Sequence, residues 1–261
     1  MFKKAHLFRQ TGWFFIQGFD RRGLYLPSML EFLEQNNPIQ ELRSAIADEI
    51  CIAMGISAKG FWRKLLGPAL WPPTHAFARL IASVDHLVKE EGIAQAAKHL
   101  LGYFVDGLQV QGAETIPTQG ALLIASNHPG AYDSVSILAH LPREDIKIMV
   151  SDVPFLHRLP NISKHLIFTR AGVHGRMGAM REMLRHIWDG GVLLIFPTGL
   201  VDSDPDLSIP GQADLAQEEL KNWSPSLELI LQKVPETRLL VTVVSGVLMK
   251  RIRRNRDGWQ R

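Results

Sequence analysis

The sequence predicts an α/β protein, an αβα sandwich with a largely parallel central sheet preceded by a helical N-terminal segment. Two observations lead to this fold class. From residue 106 onward, short apolar runs alternate with amphipathic stretches, whereas residues 1–98 show helical spacing alone. The composition, 46% hydrophobic and 21% charged over 261 residues, is enough for one large α/β core with additional helices.

The N-terminal region is expected to be helical because its apolar residues recur every three or four positions. Glycines at 55, 60 and 92 interrupt this spacing, and Pro73 suits the first turn of a helix. The predicted helices of this region cover residues 27–32, 38–54, 73–88 and 93–104.

Residues 59–71 mix Lys and Arg with Phe, Trp and Leu. This mixture suits a membrane interface, where aromatic rings lie at the level of the headgroups and cations meet anionic lipid. It suits equally well a helix packed on the core, with lysine side chains extending to water. Both interpretations stay open, and a membrane surface, contacted peripherally, is one predicted partner.

The second part of the chain alternates strands with helices, which indicates parallel strands joined by helical crossovers. Pro225 is expected to break or restart the last helix. The predicted strands cover residues 107–110, 121–126, 146–150, 166–169, 192–196 and 239–244, and the predicted helices lie near 133–141, 153–164, 175–189 and 212–233.

One strand of this sheet ends in a histidine. Residues 121–125, ALLIA, are apolar on both faces, as expected for a strand covered by helices on both sides, and Asn127-His128-Pro129-Gly130 follows directly. In open α/β sheets, ligands bind at the carboxyl ends of the strands. His128 is therefore expected to lie where substrates bind.

Asp133 follows His128 by five residues, with Pro129 and Gly130 between them to reverse the chain. A neutral histidine acts as a general base when a carboxylate holds its other ring nitrogen and fixes the tautomer. Taken alone, such a pair is more readily explained by a helix cap beside a loop histidine. The surrounding motifs are needed to distinguish a catalytic His–Asp pair from a helix cap beside a loop histidine.

Four blocks together resemble the glycerolipid acyltransferases, the lysophosphatidate acyltransferase (PlsC-like) superfamily. The NHPGAYD block at 127–133 resembles the family's NH-x4-D motif, and VDGLQVQGAETIP at 105–117 resembles the strand that leads into it. Phe168-Thr169-Arg170, with Arg176 beyond it, resembles the block whose arginine meets the acceptor. Phe196-Pro197-Thr198-Gly199 resembles F-P-E-G. The resemblance spans residues 100–247 and keeps the family's order of blocks.

The resemblance implies an acyltransferase that moves a fatty acyl group from acyl-CoA or acyl-ACP to a hydroxyl of a glycerolipid such as 1-acylglycerol-3-phosphate, in phospholipid biosynthesis. His128 would be the general base and Asp133 would orient it, with no acyl-enzyme, no cofactor and no metal. The residues that the resemblance implies for substrate binding are Asn127, Gly130, Arg170, Arg176, Phe196, Pro197, Thr198 and Gly199.

The chain departs from the family pattern at two places. Thr198 stands where the family usually has Glu, and Leu200-Val201-Asp202-Ser203-Asp204 replaces the family's Thr-Arg-Ser. An acidic stretch repels a phosphomonoester. Two alternatives therefore stay open: an acyltransferase whose acceptor carries no phosphomonoester, and a catalytically silent module that binds membranes.

Several other classes of function are not indicated. The single cysteine, Cys51, allows neither an internal disulfide nor a cysteine-rich metal site, and the histidines show no ligand spacing. Ser126 lies inside a predicted strand, so it is not expected to be a nucleophile. No dinucleotide motif is present, and no nucleic-acid partner is predicted.

Charge and hydropathy bound the location of the protein. The last twelve residues hold six Lys or Arg and one acid, a tail that meets anionic lipid or nucleic acid, or is simply solvated. No apolar run is long enough to cross a bilayer, and no signal peptide is apparent. We expect a cytoplasmic protein, peripheral to the membrane, with a helical region at 1–98, an acyltransferase domain at 99–249 and a basic tail at 250–261.

Overall fold

The computed structural model describes residues 4–8, 38–105, 107–130, 132–207 and 221–247. The chain divides into two compact units. The described part of the first unit comprises residues 4–8, 93–151 and 165–247, except residues 106, 131 and 208–220. The described part of the second unit comprises residues 38–92 and 152–164. The predicted helix at 27–32 and the basic tail at 250–261 lie outside the described residues, and the predicted domain boundaries stay a prediction.

A sheet forms the centre of the first unit. Its spatial order is β2-β1-β7-β3-β6-β4-β5; the five strands from β7 to β5 are all parallel, β1 joins β7 in parallel, and β2 pairs antiparallel with β1. This arrangement confirms the predicted α/β class with a largely parallel sheet. The strands are β1 Lys4–Phe8, β2 Gln109–Val110, β3 Leu122–Ser126, β4 Ile146–Ser151, β5 Leu166–Thr169, β6 Val192–Ile195 and β7 Arg238–Val243.

The helices carry apolar faces that cover the strands. All five residues of β3 are buried, and Met183, Ile187 and Ile230 pack against the apolar core that β3 and β6 contribute. Pro225 lies at the start of the last described helix, as predicted. The α-helices, in chain order, are α1 Pro38–Ala53, α2 Phe61–Glu91, α3 Ile93–Phe104, α4 Asp133–Leu138, α5 Val173–Trp188 and α6 Ser226–Lys233.

The predicted start of a helix at Pro73 is wrong. Helix α2 begins at Phe61 and contains three prolines, Pro68, Pro72 and Pro73. A proline removes the hydrogen bond to the carbonyl four residues earlier, here the carbonyls of residues 64, 68 and 69. All three of those residues are exposed, so water can replace the lost bonds and the helix continues.

The predicted helix at 153–164 is also wrong as an α-helix. The segment forms two short 3-10 turns, Leu156–Arg158 and Ile162–His165. The buried Asp85 carboxylate of α2 accepts hydrogen bonds from the backbone N–H groups of Asn161 and Ile162, at 3.0 and 2.8 Å. Those N–H groups are therefore not available for α-helical bonds, and Pro160 has none to give. The strand β1 was not predicted.

Arg143 connects the amino ends of three neighbouring strands. Its guanidinium donates to both carboxylate oxygens of Asp145, before β4, and to the carbonyls of Gly120, before β3, and Gly190, before β6. Arg143 is only 8% exposed, and its hydrogen bonds lower the pKa of the Asp145 carboxyl. The planar five-donor group fits this set of acceptors in a way that an ammonium cannot.

We expect Arg143→Ala to lower the free energy of unfolding by about 2–4 kcal/mol, because it leaves two carbonyls and a carboxylate without their donor. Urea unfolding followed by circular dichroism measures this change. Arg181→Ala, which removes the same charge from an exposed position, should stay within about 0.5 kcal/mol of the parent. Equal effects of the two substitutions would contradict the role given to Arg143.

Candidate active site

The site lies where β3 ends, at the carboxyl edge of the sheet between β6 and β7. Ser126 is the last residue of β3 and fully buried, and its hydroxyl donates to the Asn127 carbonyl. It therefore belongs to the strand, as predicted. The next two residues, Asn127 and His128, are half-buried and leave the sheet at its centre.

His128 and Asp133 meet as the sequence predicted. Nδ1 of His128 lies 2.7 Å from Oδ2 of Asp133, which is the first residue of α4 and 0% exposed. The same carboxylate accepts the N–H groups of Gly130, at 3.2 Å, and Ser134, at 2.6 Å. A carboxylate on Nδ1 places the proton there and leaves the lone pair on Nε2, which has no hydrogen-bond partner among the described residues.

Two carboxylates and one aromatic ring set the chemistry of His128. The hydrogen bond to Asp133 raises the pKa of the imidazole above 6.5, burial opposes this increase, and the charges of Asp133 and Asp202 add to it. The ring of Phe196 lies against the imidazole, with the ring centroids 4.5 Å apart. With a third of its side chain exposed, His128 is accessible to a substrate and is a stronger base than free histidine.

The Phe196-Pro197-Thr198-Gly199 block follows β6 and forms a tight turn beside the histidine. Phe196 contacts the imidazole directly, and the carbonyl of the buried Pro197 accepts the Ser224 N–H at 2.8 Å. The Thr198 hydroxyl donates to the Leu200 carbonyl at 3.1 Å, so it is engaged within its own turn. Gly199 has φ +67°, a conformation that favours glycine.

Asn127 has a structural partner in this site. Its side-chain amide donates to the Val244 carbonyl and accepts the Val244 N–H, both at 2.8 Å. Gly130 lies close to the same segment, because a Cβ at this position would be 3.3 Å from a methyl group of Val247. Both residues, which the resemblance implied for substrate binding, hold the loop after β3 against the loop after β7.

Tyr132 fixes the other side of the histidine turn. Its ring stacks on that of Phe104, the last residue of α3, with centroids 5.0 Å apart, and burial raises the pKa of the phenol to about 12. Tyr132 also accepts the Ser136 N–H at its carbonyl, within the first turn of α4. The short helix that carries Asp133 is therefore held by packing as well as by hydrogen bonds.

Arg170 and Arg176 lie apart from this centre. Arg170 follows β5, at the edge of the sheet and three strand positions from β3, a separation of roughly 14 Å at the spacing of paired strands. Both arginines are exposed, and Gly175 lets α5 approach Arg170, since a Cβ there would be 2.6 Å from the Arg170 carbonyl oxygen. The structure thus places both cations on the same edge as His128 but not against it.

Two acidic residues of the loop after β6 contact the site in a way that the sequence did not indicate. The Asp202 carboxylate accepts the His128 N–H at 2.7 Å, and the Asp202 N–H donates to the His128 carbonyl at 2.9 Å. Asp204, 1% exposed, accepts the Gly246 N–H at 2.8 Å. Spacing along the chain cannot show these bonds, because they join loops about 40 or more residues apart.

Residues 107–218 match the family described as Acyltransferase, that of the PlsC-type glycerolipid acyltransferases. The chain carries an acyltransferase-family domain. Searches of curated proteins and of solved structures found no significant match.

The matched range includes His128, Asp133 and Asp202. The protein is therefore an acyltransferase enzyme, and acyl transfer to a glycerolipid is its general activity. No helix among the described residues is long and apolar enough to cross a bilayer. The candidate site is built on β3, β6 and β7, with His128 at the end of the middle strand.

We expect the His128 imidazole to titrate with a midpoint above pH 6.5, and the midpoint to fall in Asp133→Asn, because the carboxylate charge favours the imidazolium. NMR of the histidine ring signals measures both midpoints, and His128→Ala identifies the signal by its loss. A midpoint that does not change in Asp133→Asn would show that the hydrogen bond is absent in solution.

Proposed function

We propose that this acyltransferase moves a fatty acyl group from an acyl-CoA or acyl-ACP thioester to a hydroxyl of a lysophospholipid such as 1-acylglycerol-3-phosphate. The observation that carries the proposal is the bond between His128 Nδ1 and Asp133, which leaves Nε2 as a base at the carboxyl end of β3. The acceptor hydroxyl is the group that such a base activates. The donor supplies the acyl group, so no further cofactor enters the proposal.

The proposed reaction is a direct transfer. Nε2 of His128 takes the proton of the acceptor hydroxyl while the oxygen attacks the thioester carbonyl, and a C–O bond forms. The tetrahedral intermediate then breaks its C–S bond, and the thiolate takes the proton back from the imidazolium. Asp133 holds the ring in place and stabilises the imidazolium between the two steps. The products are the ester and a free thiol.

The N–H groups of His128 and Gly130 are already bonded to Asp202 and Asp133. They are therefore poor candidates for stabilising the oxyanion of the intermediate. The proposal rests on the basic Nε2 atom of His128 and does not require an oxyanion hole in this turn. Arg170 and Arg176, exposed at the same edge of the sheet, are proposed to meet the phosphate groups of donor or acceptor.

His128→Ala should reduce the rate of thiol release from acyl-CoA by on the order of 10²–10⁴, because it removes the base. The assay follows free thiol with purified protein, lysophosphatidate and the donor, and is repeated with acyl-ACP. His99→Ala is the matched control, since His99 lies on α3 with its ring against Tyr103, and it should keep the parental rate. A parental rate in His128→Ala would exclude the proposed base.

A second candidate acceptor is a glycerolipid without a phosphomonoester. The Asp202 carboxylate, bonded to the His128 backbone, adds negative charge beside the base, and Thr198 has its hydroxyl engaged in its own turn. A dianionic phosphate is repelled by a carboxylate, whereas an uncharged or zwitterionic headgroup is not. The same thiol assay with uncharged and zwitterionic lysolipids distinguishes the two acceptor classes.

The proposed partner of the second unit is a membrane surface. At the start of α2, Phe61, Trp62 and Leu65 are 72%, 61% and 56% exposed, and Lys59 and Lys64 beside them are also exposed. Large apolar side chains at the surface, flanked by cations, are typical of interfacial helices. Of the two interpretations of residues 59–71, these exposures favour the membrane interface. The cytoplasmic location stays a prediction.

The double substitution Phe61→Ser, Trp62→Ser should weaken binding to anionic vesicles at least about tenfold, since each ring contributes about 1.5–3 kcal/mol when it leaves water. Flotation with phosphatidylglycerol-containing vesicles measures the bound fraction. Trp188→Ser removes a Trp of α5 that is 60% exposed, and it should leave binding unchanged. Vesicle binding without thiol release from any donor would instead favour the silent membrane-binding module.

A further inference from the structure

Asp202 makes two hydrogen bonds to the backbone of one residue, and that residue is His128. Its carboxylate accepts the His128 N–H at 2.7 Å, and its own N–H donates to the His128 carbonyl at 2.9 Å. A two-point bond of this kind fixes both the distance and the orientation of the peptide units on either side of the histidine. The loop after β6 thereby determines where the base stands at the end of β3.

The loop that carries Asp202 is itself held. Two residues further on, the Asp204 carboxylate is 1% exposed and accepts the N–H groups of Gly246, at 2.8 Å, and Asp206, at 3.1 Å. On the other side of Asp202, the Phe196 ring lies against the imidazole. The loop therefore contacts the histidine by a ring and by a carboxylate, and is anchored to the loop after β7.

We propose that Asp202 is a positioning residue of the acyltransferase site, which holds the His128 backbone through two hydrogen bonds and places a second negative charge beside the imidazole. This inference rests on the proposed role of His128 as the base. Asp202 does not touch the reacting atoms in this proposal; it acts through His128. The charged groups that act on the imidazole, among the described residues, are Asp133 on α4 and Asp202.

The second charge has a definite chemical effect. During acyl transfer His128 passes through the imidazolium state, and a carboxylate nearby stabilises that state along with Asp133. The raised pKa of His128 agrees with this arrangement, since the charge of Asp202 is among its causes. Because the base must be neutral to accept a proton, activity falls as the pH drops through the pKa of His128.

Two substitutions of Asp202 separate its effect on the position of His128 from the effect of its charge. Asp202→Asn keeps an oxygen that can accept the His128 N–H and removes the charge, so the acidic limb of kcat/KM against pH should move to lower pH, with kcat largely kept. Asp202→Ala removes the accepting oxygen and the charge and keeps only the backbone N–H bond to the His128 carbonyl. A misplaced base should then lower kcat by about 10–100-fold, with little change in the KM for the donor. Asp206→Asn, in the same loop, is the control for loss of a charge, because Asp206 is not among the groups that raise the pKa of His128.

The NMR titration of His128 supplies a readout that does not depend on activity. We expect its midpoint to be lower in Asp202→Asn than in the parent and unchanged in Asp206→Asn. If Asp202→Ala does not fold, as judged by circular dichroism, Asp202→Asn alone carries the test. If no pairing of donor and acceptor gives thiol release in the parent, the proposed function fails, while the titration still tests the placement of Asp202.

Unchanged kcat, pH profile and His128 midpoint in Asp202→Asn and Asp202→Ala would overturn the inference. An equal shift of the midpoint in Asp206→Asn would overturn it as well, because the effect would then come from the charge of the loop rather than from the bond to His128. A shift confined to Asp202, with the loss of kcat in Asp202→Ala, supports it.

Discussion

The adjacency of β7, β3 and β6 is the constraint on which the site depends. Because these three strands are parallel neighbours, their following loops leave the sheet at one edge and can bond to one another. Each loop is bonded to another: Asn127 to Val244, His128 to Asp202, and Asp204 to Gly246. At the opposite edge, Arg143 joins the amino ends of β3, β6 and β4. The central strand is therefore held at both ends, and so is His128 in the loop that follows it.

Within this frame, the buried Asp133 explains why the histidine turn has its shape. A carboxylate that is 0% exposed must be compensated by hydrogen bonds, and Asp133 receives them from Gly130, Ser134 and the His128 ring. Two of these donors are backbone groups of the turn and the helix start. Backbone N–H groups of the turn and the helix thus supply two of the three hydrogen bonds to the carboxylate. The imidazole supplies the third, in the tautomer that leaves the lone pair on Nε2.

The sequence was sufficient for the fold class, for the strands from β2 to β7 to within a few residues, and for the pairing of His128 with Asp133. These depend on local signals: apolar runs, glycine and proline positions, and a five-residue spacing that one turn can close. The bonds of Asp202 and Asp85 were not predictable, since each joins segments about 70 or more residues apart. Helix α2 continues through its prolines, and the residues whose carbonyls lose a hydrogen bond are exposed. The positions of the prolines in the sequence do not show that exposure.

From the sequence, the acidic loop after β6 was interpreted only as a segment whose negative charge repels a phosphomonoester. In the structure, the carboxylates of Asp202 and Asp204 accept hydrogen bonds from the backbone N–H groups of His128 and Gly246. These bonds offset part of the negative charge of the loop. The charge of Asp202 helps to raise the pKa of His128 and so increases the fraction of His128 that is protonated at neutral pH. In the proposed mechanism, a stronger base is useful only while enough of it is neutral. An acceptor that brings a dianionic phosphate close to His128 would raise the pKa of the imidazole further and reduce the neutral fraction again. In the proposed mechanism, the strength of the base and the charge of the acceptor therefore both act on the pKa of His128, and this coupling is the physical reason for testing acceptors with and without a phosphomonoester.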